Sequence, residues 1–148
     1  MLWDALNKEL ICAASGWFAA QLIKAIICLV MNHSLPLNVV FGSGGMPSSH
    51  SATVCALSAA VAFDCGLASP IFGVSCILAF IVMYDAMGVR RETGDQGKAI
   101  NDILRIFEDM GKPISPEKKF KELVGHTPLQ VVCGAVLGIA VGCALMQI

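Results

Sequence analysis

The stretch PLQVVCGAVLGIAVGCALMQI, residues 128–148, contains no charged residue. About 20 mostly apolar residues are what an α-helix needs to cross a bilayer, so this run reads as a spanning helix. Thr127-Pro128 marks its start, with a hydroxyl at the N-cap and a proline at the first helical position, where the missing N–H is no loss. Three segments upstream approach the same length. One runs from about Leu10 to Met31, interrupted by Ser15, Gln21 and Lys24. Another runs from about Ser48 to Leu67, and a third from Pro70, capped by Ser69, to about Met87. Only the short turn around Asp64 to Ser69 separates the second from the third, which predicts an antiparallel helical hairpin.

The composition of the whole chain agrees. Its 148 residues allow one domain, 1–148, and 56% of them are apolar against 14% charged. Soluble domains carry roughly 25% charged residues, so the excess of apolar surface calls for a lipid solvent. The seven cysteines lie mostly within apolar runs and form no Cys-x-x-Cys pair. They read as small hydrophobes in packed helices, without a disulfide framework or a zinc site. The N-terminal residues include acids and lack a basic leader, so they do not read as a cleaved signal. The expected class is all-α: a polytopic transmembrane bundle of four to five membrane helices plus an amphipathic helix. That helix is expected over Lys98 to Met110, where Ile100, Ile103, Leu104, Ile106, Phe107 and Met110 recur at helical spacing.

Four crossings put the loops 32–47 and 88–126 on one side. Eight of the ten Lys and Arg residues fall in the second loop, from Arg90 to Lys121. The positive-inside rule then places both long loops in the cytoplasm, unless a further segment dips across.

Three polar motifs should meet on that side. Gly42-Ser43-Gly44-Gly45-Met46-Pro47-Ser48-Ser49-His50-Ser51 is a glycine-rich loop feeding a helix start. Backbone N–H groups there attract an anion, Ser48 and Ser49 add hydroxyl donors, and His50 can donate or take a proton. A plain capped helix entry has the same residue types. Gly125-His126-Thr127-Pro128-Leu129-Gln130 leads into the last span. His126, Gln130, Gly134, Gly138 and Gly142 then step by four along one face. Glycines at that spacing allow close helix contact in membranes, so this stripe should face protein. Tyr84-Asp85-Ala86-Met87-Gly88-Val89-Arg90-Arg91 ends the third span; its arginines could clamp a phosphate or anchor the helix at the interface. Lys24, inside the first span with Gln21 one turn away, is expensive in lipid and is expected to face a cavity or partner rather than to snorkel.

These residues resemble the type 2 phosphatidic acid phosphatase superfamily, and more closely its divergent branch of small membrane proteins. The resemblance covers about Gln21 to Gly142 and rests on Gly-Met-Pro-Ser-Ser-His-Ser-Ala, Asp-Ala-Met-Gly-Val-Arg-Arg and Gly-His-Thr-Pro-Leu-Gln-Val-Val-Cys-Gly. It implies that His126 is a nucleophile, that His50 protonates the leaving oxygen and that Ser48 binds phosphate. The chain departs from the superfamily pattern at four places. Ser49 replaces a glycine, and Gln130 replaces the aspartate that orients the nucleophile. Lys119-Phe120 stands for Ser-Arg, and Met31-Asn32 follows Lys24 where Arg-Pro is expected.

The expected site therefore has His126, His50 and Gln130 as its catalytic set. Lys24, Ser48, Ser49 and Arg90 bind phosphate, with neither metal nor other cofactor required. The expected substrate is a membrane lipid phosphate monoester cleaved through a phosphohistidine. Nucleic acid is not an expected partner, and a homo-oligomer is left open. Two alternatives stand beside this one: a non-catalytic membrane protein that binds a lipid phosphate or a partner, and a magnesium-dependent phosphotransferase using Asp85, Asp95 and Asp102.

Overall fold

A computed structural model describes residues 7–32, 45–111 and 126–147, with the side chains of Asn32, Val89, Arg90, Arg91 and Glu108 left out of that description. The described residues form five helices: α1 (Lys8–Asn32), α2 (Ser49–Cys65), α3 (Pro70–Met87), α4 (Val89–Asp109) and α5 (Pro128–Met146). The caps read from the sequence are present. Ser69 accepts the Ile71 N–H ahead of α3, and Thr127 accepts the Gln130 N–H ahead of α5.

Three of these helical stretches are long and apolar enough to cross a membrane: α1, the run beginning with α3, and α5. At 17 residues α2 is shorter, and the other three pack around it. It runs antiparallel to α1, with Gly16 against Ala52 and Ala56, and Lys24 against Ser49. It runs antiparallel to α3 as the expected hairpin, where Ser58 Oγ donates to the Ser75 carbonyl. Against α5 it runs parallel: Gly134 meets Ser48, Gly138 meets Ala52 and Gly142 meets Ala56.

Small residues at a stride of four on both partners make that parallel contact. A Cβ on Gly134 or Gly138 would overlap the carbonyl oxygen of Ser48 or Ala52, and one on Gly142 would lie 2.8 Å from Ala56 O. Between helices in lipid no hydrophobic gain drives association, so close backbone approach and dispersion contacts do. A matching stripe lies on α1, where Cys12, Gly16, Ala20, Lys24 and Cys28 are all buried. Of the seven free cysteines, Cys12, Cys28 and Cys55 are buried and Cys65 and Cys76 are exposed.

The amphipathic helix differs from the expected 98–110: α4 already begins at Val89, directly after the Gly88 cap of α3. Gly94 and Gly97 weaken the helical signal there by about 1 kcal/mol each relative to alanine, but they do not abolish it. Its apolar side, with Ile103, Ile106 and Met110, is exposed. Asp95–Lys98 and Asp102–Arg105 pairs, at 3.4 and 4.0 Å, lie along the polar side.

Candidate functional site

The directions of the helices bring four ends together: the ends of α1 and α3 and the starts of α2 and α5. Two backbone hydrogen bonds join three of them. Ser48 N–H donates to the Gln130 carbonyl at 3.0 Å, and His126 N–H donates to the Ala86 carbonyl at 3.1 Å. A chain segment that pairs its backbone groups this way is fixed in register, and so are the side chains it carries.

Two histidines therefore enter from separate helix starts. His50 lies in the first turn of α2 and His126 just ahead of the α5 cap. Their ring centroids are 6.0 Å apart with the planes inclined at 63°. His126 is 1% exposed, although it belongs to a loop. Its Nδ1 lies 3.2 Å from Gln130 Oε1.

Gln130 occupies the third helical position of α5 and forms a capping box with Thr127. The Thr127 N–H donates to Gln130 Oε1 at 3.0 Å, while the Gln130 N–H donates to Thr127 Oγ1 at 3.4 Å. This reciprocal cap satisfies two otherwise orphaned backbone donors. The Thr-x-x-Gln spacing carries that signal in the sequence.

Lys24 reaches the same end from α1. It is 4% exposed, and its Nζ donates to Ser49 Oγ at 3.3 Å. Ser48 caps α2, accepting the Ser51 N–H at 3.4 Å. Gly45, at φ 87°, brings the chain over Lys24, where its Cβ position lies 3.9 Å from Lys24 Cδ. A positive φ of this size is one that glycine adopts without strain. Ser48, Ser49, Ser51, Lys24 and His126 are thus buried polar groups at one end of a bundle whose sides are apolar. Ser51 Oγ and, one turn below Lys24, Gln21 Oε1 are buried without a hydrogen-bond partner among the described residues.

Arg90 lies in the first turn of α4, close in sequence to the Ala86 carbonyl that holds His126, but its side chain is not described. Gly42 to Gly44, Lys118 to Lys121, Glu122 and Gly125 lie outside the described residues. Asp95 and Asp102 belong to the exposed ion pairs of α4. Among the described residues, the grouping of ligand atoms close enough to hold a metal is Glu9, Asp64 and Cys65 rather than the three aspartates. That group lies at the opposite end of the bundle.

Comparison with known proteins follows the same lines. A family model described as "Divergent PAP2 family" matches residues 5–141. The uncharacterized membrane protein YuiD of Bacillus subtilis (strain 168) is 42% identical, over 90% of this chain and 90% of its own. No solved structure matches.

Proposed function

We propose, because this chain belongs to the divergent PAP2 family, that it is a membrane-embedded phosphatase for lipid phosphate monoesters. The observation that carries the reading is the meeting of His50 and His126, 6.0 Å apart, at the end of the bundle where two helices start. That spacing puts a candidate nucleophile and a candidate acid within reach of one phosphoryl group.

In the proposed reaction a ring nitrogen of His126 attacks phosphorus. The N–P bond forms as the bond from phosphorus to the lipid oxygen breaks, and His50 gives that oxygen its proton. Water then enters, losing a proton to His50 as its oxygen attacks phosphorus; the N–P bond breaks and inorganic phosphate leaves. Lys24, Ser48, Ser49 and the positive end of the α2 dipole stabilise charge on the equatorial oxygens, with Arg90 as a further donor. A protonated His50 is disfavoured by the positive end of its own helix dipole, and a bound phosphate dianion offsets that. The apolar flanks of the bundle suit a substrate whose headgroup sits in the site while its tails stay in lipid. The excess of Lys and Arg in 88–126 supports a cytoplasmic position for this end.

Phosphate release from lipid phosphates by the purified protein, beside His126→Ala and His50→Ala, tests the reading. The expected result is release by the natural protein, with His126→Ala reduced to background. Release equal in all three proteins, or absent from all, overturns it. One observation favours a second reading, a membrane protein that binds a lipid phosphate without cleaving it. The group beside His126 is a neutral amide, which cannot offset charge developing on the imidazole, and it already serves in a helix cap. Retention of phosphate-lipid binding without any release would select that reading.

A further inference from the structure

We infer that the cap of α5 also sets the tautomer of His126, with Gln130 as a positioning residue in the place of a carboxylate. The chemical use of that tautomer rests on the phosphatase reading, but its existence does not.

The argument needs only donors and acceptors. A glutamine amide presents an oxygen that accepts and a nitrogen that donates, and the two are alike in shape. The backbone N–H of Thr127 can only donate, and it lies 3.0 Å from the end of the Gln130 side chain. An NH2 placed there would oppose donor to donor, so the atom is the oxygen. That same oxygen lies 3.2 Å from His126 Nδ1. An oxygen with no hydrogen can only accept, so Nδ1 must carry the proton. Neutral imidazole has a single N–H, which leaves the lone pair on Nε2.

Each part of the device is anchored. The Gln130 main chain donates to Thr127 Oγ1, and the His126 main chain donates to the Ala86 carbonyl. His126 is almost fully buried, so bulk water does not compete for Nδ1. Glutamine thus performs the orienting half of an aspartate's work without the charge-balancing half. Its amide orientation is dictated by a helix cap, which folding alone maintains.

Nitrogen-15 NMR of the histidine-labelled full chain in lipid nanodiscs, above the imidazole titration, reads the tautomer without substrate. His126→Asn assigns the signals. The expected natural pattern is a pyrrole-like Nδ1 and a pyridine-like Nε2 for His126. Gln130→Leu should move both signals toward each other as the tautomers mix, while Gln130→Glu keeps the natural pattern. Thr127→Ala removes the hydroxyl half of the cap but retains the backbone N–H; it should lower thermal stability and leave the tautomer unchanged. A pyridine-like Nδ1 in the natural protein, or natural shifts in folded Gln130→Leu, overturns the inference. A protein showing the expected shifts but releasing no phosphate loses the phosphatase reading and keeps the tautomer lock.

Discussion

Helices α2 and α3 are neighbours of nearly equal length, joined by a short turn, yet they meet opposite surroundings. In α2 Ser49, Ser51, Ala52, Val54, Cys55, Ala56, Ala60 and Val61 are buried; in α3 only Ser75, Ala79 and Ala86 are. Large apolar side chains of α3, among them Val74, Ile77, Phe80 and Ile81, point outward. In water the more apolar helix would be the buried one. In lipid the outside is as apolar as the inside, so the choice falls to size. Small residues allow backbones to approach, and the helix richest in them becomes the axis of the bundle. The polar residues follow from the same sorting, because a helix buried by protein on several sides can carry serines and a histidine that lipid would reject.

The most damaging way to break this comparison is to give α2 a large neighbour. Gly138→Leu places a branched side chain where even a Cβ overlaps the Ala52 carbonyl. Since the overlap is with backbone, relief requires α5 to move off α2, which also separates Ser48 from Gln130. Loss of the monodisperse species in detergent is expected, by size-exclusion chromatography. Overpacking of a well-packed site costs about 1–3 kcal/mol and more where backbone must shift. A Gly138→Leu protein that elutes and melts like the natural one would show that the α2–α5 contact does not hold the bundle.

Lys24→Met separates the function of the buried end from its stability. Replacing a buried charge by an apolar group of similar volume is often neutral or stabilising. The melting temperature is therefore expected to hold or rise. Phosphate release should fall by about 10²–10³-fold, the range seen when one donor to a developing anion is removed. An unchanged rate would mean that Lys24 binds Ser49 for structural reasons alone. Gln130→Glu tests the opposite direction, because a carboxylate accepts the same two hydrogen bonds and adds charge. Release should rise, bounded by the about 10⁴-fold loss that follows neutralising the corresponding group in a serine protease.

Much of this arrangement is legible in the sequence. The charge-free run of α5, the Ser69-Pro70 and Thr127-Pro128 starts and the short turn at Asp64 to Ser69 each follow from local rules. The four-residue stride from His126 to Gly142 indicated a protein-facing stripe, and Gly134, Gly138 and Gly142 are buried. The sequence did not single out the partner stripes. Ala52 and Ala56 and the Cys12-to-Cys28 face of α1 are ordinary small residues until another helix lies against them. The Thr-x-x-Gln spacing points to the cap, but the sequence does not show that Gln130 uses the same oxygen toward His126. Both roles use one oxygen, and only distances reveal the sharing.

The smallest effect, and the sharpest test of the comparison, lies on the outer face of α3. Ile77 and Ile81 are exposed in the single chain. Truncating a buried isoleucine to alanine costs about 2–5 kcal/mol because a cavity remains. Where lipid tails are the neighbours they fill the space, and no contact within the protein is lost. Ile77→Ala and Ile81→Ala are therefore expected to change stability by less than about 0.5 kcal/mol, as surface substitutions do. Reversible unfolding in mixed micelles measures this, with Val54→Ala on α2 as the buried reference. If both outer variants cost as much as the reference, lipid is not what covers α3. Another protein surface must lie there, and a second copy of the chain, tested by crosslinking in the membrane, becomes the first candidate.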